Sequence, residues 1–231
     1  MKVKICGITN SHDAKKAISF GADALGFQVG MKHKTEDEVS PHLAKEIISL
    51  LPPFVSSVIV THLTYSKSII SLLSIIESVS TIQFHDDIEV KEMEKVREQF
   101  PWVKLIKAIH VDGIGALTNL HHYDKVADAL IGDSINLKED RIGGTGITHD
   151  WSISRRMVNE SPLPIVLAGG LTSENVQDAI FTVRPYAIDV NSGVKIDRFS
   201  RRKDPTKMRN LIYGAKKAFA KVEMEQMRRS I

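Results

Sequence analysis

Eight short runs rich in β-forming residues recur along the sequence: "KVKICG", "ADALGFQV", "VSSVIVTH", "STIQFH", "VKLIKAIH", "DALIGDS", "PIVLAGG" and "YAIDVNSG". Between them lie amphipathic segments such as "HDAKKAISFG", "SPHLAKEIISLL", "TYSKSIISLLSIIES" and "SENVQDAIFTV", with apolar residues at three- and four-residue steps. A strand followed by a helix, repeated eight times, is the pattern of an α/β chain closed into a (β/α)8 barrel, the TIM barrel. The alternative, an open doubly wound sheet, usually has fewer strands and a Gly-rich first turn, which this sequence lacks. At 231 residues with 42% hydrophobic content, the chain is long enough for one such barrel. Nothing in its composition marks a linker. The expectation is one domain over residues 1–231, with a C-terminal helix from about 205 to 228.

Charge and cysteine content narrow the function classes. The net charge of +3 is too small to argue for nucleic acid. The ten Lys or Arg against three Asp or Glu in residues 201–231 read as the solvated side of a helix. Its Met208, Leu211, Ile212, Ala215 and Phe219 share the opposite face. Cys6, the single cysteine, has no partner for an internal disulfide, no apolar run reaches the roughly 20 residues that span a bilayer, and the start is too short in apolar residues for a signal peptide. A cytoplasmic protein without nucleic-acid or membrane partners is expected.

In a barrel of this kind the active face is formed by the C-terminal strand ends and the loops after them. Here those ends read Cys6, Val29, His62, His85, His110, Asp133, Gly169 and Ser192. Glycine clusters follow the last three strands, "GGTG" at 143–146, "LAGGLTSENV" at 167–176 and "VNSGV" at 190–194. Backbone N–H groups exposed by glycines before a helix, here one capped by Thr172 or Ser173, suit a phosphate.

The motifs "KICGIT", "GADALGF", "QFH", "DALIGDS", "GGTGITHDW", "LAGGLTSENV" and "DVNSGV" resemble, in order and spacing from residue 2 to about 212, the phosphoribosylanthranilate isomerase family of tryptophan biosynthesis. The resemblance implies a TIM barrel that carries out a cofactor-independent Amadori rearrangement of N-(5-phosphoribosyl)anthranilate. It makes Cys6 the general base and Asp133 the general acid. It places phosphate at Gly144, Thr145 and Gly146, at Gly169 and Gly170, and at Ser192 and Gly193. Lys4 and His85 are expected to face the substrate, and the chain to act as a monomer or homodimer on a phosphorylated sugar.

The sequence departs from that family in several places. Asp37 stands where the family has the arginine that receives the anthranilate carboxylate; a carboxylate there has the wrong sign, which leaves Lys32, His33 or Lys34 to take over. His62 and His110 join His85 at consecutive strand ends, with Asp133 next, a set that could bind a divalent transition metal. "FSRRKDP" carries Arg201 and Arg202, read as surface residues. These departures support an alternative: a divergent paralogue acting on another phosphorylated sugar, metal-dependent through His62, His85 and His110. A non-catalytic phosphate-binding barrel is a third reading.

Overall fold

The computed structural model describes residues 2–33, 35–136, 141–142 and 149–229. Eight parallel strands close a barrel in chain order: β1 (Lys2–Ile5), β2 (Ala24–Gln28), β3 (Ser56–Thr61), β4 (Thr81–Phe84), β5 (Lys104–His110), β6 (Ala129–Asp133), β7 (Ile165–Leu167) and β8 (Ala187–Val190). β8 returns to β1 in a register that sets Lys4 beside Asp189, and β5 meets β6 with His110 beside Asp133.

Alternation along each strand separates two cores. Outward residues such as Leu25, Phe27, Ile59, Ile82, Phe84, Leu105, Leu130 and Leu167 are fully buried in one continuous cluster with the helices. Inside the barrel, Ala108, Ile131, Val166, Ala168 and Ala187 pack on one side, and Cys6, Val58 and Val60 on the other.

The helices are α1 (Ser11–Ser19), α2 (Pro41–Ile48), α3 (Ser66–Ile76), α4 (Val90–Gln99), α5 (Trp151–Glu160), α6 (Val176–Val183) and α7 (Pro205–Arg229). Asn10 caps α1 by accepting the Asp13 N–H, and Ser40, followed by Pro41, caps α2 through the Leu43 N–H. The expected eightfold strand–helix repeat is broken at its fifth unit, after β5. There the described crossover holds a 3-10 turn, Ile114–Asn119, in place of an α-helix. Gly113 and Gly115 flank its first residue, and glycine is a poor helix former. The apolar face of α7 behaves as its spacing predicts: Met208, Leu211, Ile212, Ala215 and Phe219 are all buried as α7 packs on α6 and α1.

Candidate active site

Cys6 lies one residue beyond β1, buried and free of any disulfide. Its sulfur is 3.6 Å from the Lys4 Nζ. The same ammonium donates to Asp189 Oδ2 and to Gln83 Oε1, both at 2.8 Å. Gly26 makes this crowding possible, since a Cβ there would stand 2.8 Å from Cys6 Sγ and 2.9 Å from Lys4 Cε. Burial works against the Lys4 charge, but Asp189 and Cys6 outweigh it and hold the amine above its usual value. Burial also pushes the Cys6 thiol up, to about 11; Lys4 and Lys203 pull the other way, and Asp189 and Asp37 add to the burial.

Asp133 ends β6 and is likewise buried. Its carboxyl is pushed up to about 7, first by burial and then by Asp189, against the Ser134 N–H that it accepts at 2.8 Å and against Lys4. His85 Nε2 faces Asp133 Oδ2 at 3.8 Å. Burial, and after it the charges of His110, His62, Lys107 and Lys4, keep the His85 imidazole far below its ordinary value, so it is neutral. The layer therefore places a thiol beside an ammonium at one strand end and a protonatable carboxylic acid beside a neutral imidazole at another. That is an arrangement for moving protons.

The three strand-end histidines do not form a metal site. The His62 and His85 rings stack at 5.4 Å, 16° from parallel, and His110 meets His85 edge-on at 5.5 Å. His62 Nδ1 accepts the Lys32 backbone N–H, and His85 Nδ1 faces Gln83. His62 Nε2 and His110 Nδ1 are buried without a hydrogen-bond partner, but the rings stack and cross edge-on. Among the described residues no group of His, Cys, Asp or Glu side chains is arranged to hold a metal ion. The metal reading of His62, His85 and His110 is corrected accordingly.

The glycine loops after β7 and β8 adjoin. A Cβ on Gly193 would collide with the Leu171 carbonyl oxygen, and one on Gly169 would come within 2.7 Å of Ser134 Oγ. Gly169 and Gly170 both hold positive φ, +86° and +62°. α6 starts later than expected: Asn175, not Thr172 or Ser173, is the cap position, because the Asn175 side chain folds back to link the Thr172 N–H with the Gly170 carbonyl and closes a separate turn first. Ser192 opens the short 3-10 turn that carries Gly193. Gly144, Thr145 and Gly146 lie outside the described residues, as does Lys34.

Asp37 is not a ligand-facing group. It is 1% exposed, its Oδ2 is 3.0 Å from Lys195 Nζ, and it accepts from Asn191 Nδ2 at 2.9 Å. Lys203, also buried, donates to Asn191 Oδ1 at 2.6 Å; burial pulls its amine down to about 8 against the pull of Asp37 and Cys6. This network ties the loop after β2 to the loop after β8. Arg201 and Arg202 are exposed, as expected, reaching the Glu38 carbonyl and the Asp13 carboxylate. The next residue, Lys203, is the one that enters the interior, and sequence reading missed it. Asp189 and Gln83 were missed as well, although each falls on the inward phase of its strand, two residues from a residue singled out for chemistry or at the equivalent step.

Across residues 3–213 the chain matches the family model described as N-(5'phosphoribosyl)anthranilate (PRA) isomerase. It is 42% identical over 222 residues to N-(5'-phosphoribosyl)anthranilate isomerase 2 of Methanosarcina mazei, covering 96% of this chain and 97% of that one. The isomerase of Methanocella arvoryzae is 38% identical, with 91% and 96% covered. Among solved structures, phosphoribosyl anthranilate isomerase from Thermotoga maritima superposes with a TM-score of 0.82 at 34% identity, covering 94% of this chain and 99% of that one. An isomerase in complex with reduced 1-(o-carboxyphenylamino)-1-deoxyribulose 5-phosphate superposes at 0.78 with 32% identity, over 94% of this chain and 99% of its own.

Proposed function

The chain belongs to the N-(5'-phosphoribosyl)anthranilate isomerase family, an intramolecular aldose–ketose isomerase of tryptophan biosynthesis, and within that activity we propose that Asp133 is the general acid and Cys6 the general base. The observation that carries this reading is the pairing of a buried carboxyl raised to about 7 with a buried thiol 3.6 Å from an ammonium, both at C-terminal ends of barrel strands.

The substrate is a ribosylamine phosphate whose ring must open. Asp133, whose carboxyl is pushed up to about 7, delivers its proton to the furanose oxygen while the anilino nitrogen pushes the C1–O bond apart. The resulting protonated Schiff base makes the C2 proton acidic. Cys6 takes that proton as the thiolate, and the enolamine tautomerises to the ketone. A thiol at about 11 is a weak supply of thiolate at neutral pH, but the iminium charge created by the first step adds to Lys4 in stabilising it.

The glycines Gly169, Gly170 and Gly193, with Ser192, serve the phosphate; the resemblance assigns Gly144, Thr145 and Gly146, outside the described residues, to the same role. Lys4 and His85 line the path between the two reacting ends. With Asp37 committed to Lys195, Lys32 is the cation on the loop after β2 that meets the anthranilate carboxylate; its present partner, Asp86 at 3.4 Å, forms an exposed pair that is easily exchanged. The reaction needs no cofactor, and the enzyme works in the cytoplasm as a monomer or homodimer. Among the described residues no helix is long and apolar enough to cross a membrane.

The test is turnover of phosphoribosylanthranilate, followed by loss of its fluorescence, in Cys6→Ala and Asp133→Asn. Both variants should lose activity by about a thousandfold or more. Each should still bind the reduced product analogue. Turnover within tenfold of the parent in either would remove that residue from its role.

A further inference from the structure

Between the thiol and the acid runs a chain of buried polar groups whose middle member, Gln83, the mechanism above leaves unassigned. Lys4 Nζ donates to Gln83 Oε1 at 2.8 Å; the Gln83 amide nitrogen stands 3.3 Å from His85 Nδ1; His85 Nε2 faces Asp133 Oδ2 at 3.8 Å. Gln83 is 2% exposed and His85 5%, so water does not set their orientation.

The direction of each hydrogen bond along this chain is fixed by its first member. An ammonium has only donors, so the Gln83 carbonyl must face Lys4. The Gln83 amide group is thereby turned toward His85, and because it too is a donor, His85 Nδ1 must be the acceptor. A neutral imidazole with an accepting Nδ1 carries its hydrogen on Nε2. Nε2 is also the ring nitrogen nearer the carboxyl of Asp133, 3.8 Å from its Oδ2.

We propose that Gln83 is a positioning residue: it transmits the fixed polarity of the Lys4 ammonium to His85, locking the imidazole in the Nε2–H tautomer so that it donates to Asp133 as that acid gives up its proton. At 3.8 Å the two groups face each other without a hydrogen bond; one forms as the carboxylate appears, since a charged acceptor draws the donor in. The device stabilises the product side of the proton transfer without placing a permanent positive charge beside the acid. It also links the two halves of the reaction, because the ammonium that supports the Cys6 thiolate is the one that orients the group serving Asp133.

The inference rests on Asp133 being the acid, and its primary test does not depend on turnover. Protein labelled with 15N-histidine reports the tautomer directly, since protonated and unprotonated ring nitrogens resonate far apart; the His85 signals are identified by their loss in His85→Asn. In the parent protein Nε2 should be the protonated nitrogen. Gln83→Glu puts an acceptor opposite Nδ1 and should move the hydrogen to Nδ1. Gln83→Met removes both partners, should leave a mixture of tautomers, and keeps the question answerable if the charged variant fails to fold.

Both variants should lower kcat about tenfold or more with KM within a factor of about three, the split expected when ground-state binding is intact. His85 protonated on Nδ1 in the parent would overturn the proposal, as would an unchanged tautomer in both Gln83 variants, or an altered tautomer with unchanged kcat. Full turnover by Asp133→Asn alongside the expected tautomer shift would instead overturn the acid assignment and leave the orientation of His85 by Gln83 standing.

Discussion

Replacing Asp133 with asparagine should make the protein more stable while removing the proposed acid, and the size of the effect should depend on pH in a way that identifies the cause. Burial lifts the Asp133 carboxyl from 3.8 to about 7 in the folded state. A group whose folded value lies above its unfolded value binds more protons in the native state, so its contribution to stability is full below about 3.8 and is lost as pH rises through about 7. Three units at 1.36 kcal/mol each place the full loss at about 4 kcal/mol above neutral pH. More than a third of it is already lost at pH 5, so between pH 5 and pH 8 the term grows by about 2–3 kcal/mol. Asparagine has no charge to desolvate, and its side-chain oxygen can still accept the Ser134 N–H, now made at 2.8 Å. Urea unfolding of parent and variant at the two pH values measures the term as a difference, in which other titrating groups largely cancel. The variant should be the more stable at pH 8, and its advantage should shrink by about 2–3 kcal/mol at pH 5. An advantage that is the same at both pH values, or a variant less stable at pH 8, would refute the claim that the carboxylate is strained by its burial.

Two further outcomes follow from the loop network and the site mouth. Lys195→Met strands the buried Asp37 carboxylate and should lower unfolding stability by about 3–5 kcal/mol, and adding Asp37→Asn should recover most of the loss; chemical denaturation of the three variants checks this. Lys32→Met should raise KM for phosphoribosylanthranilate about tenfold or more, with kcat little changed and with inhibition by ribose 5-phosphate, which lacks the aromatic carboxylate, unaffected; an unchanged KM would exclude Lys32 as the carboxylate's partner.

The barrel and the strand-end positions of Cys6 and Asp133 were legible in the residue order. Alternation of β-rich and amphipathic runs is a local property, so the eight strands could be found without knowing their neighbours, and the strand-end positions of Cys6 and Asp133 followed from where each run stops. What sequence reading got wrong has one physical cause in common. Whether His62, His85 and His110 converge on a metal or stack as separate rings depends on ring rotation and on which nitrogen each neighbour occupies, and no spacing encodes that. Whether Asp37 faces a ligand or pairs with Lys195 depends on two loops 158 positions apart meeting over the barrel rim. Arg201 and Arg202 stood out by charge, while the lysine that is buried, Lys203, looked no different from its neighbours.

The sequence by itself determined the strands, the faces of the helices and the identity of the thiol and the carboxylic acid, because these depend on residue type and period along the chain. Only the tertiary structure decided the charge states and directions of the hydrogen bonds around them. Asp133 is raised because the barrel mouth removes water from it, and the Lys4–Gln83–His85 chain has a direction because β1 and β4, non-adjacent strands, face each other across a closed barrel.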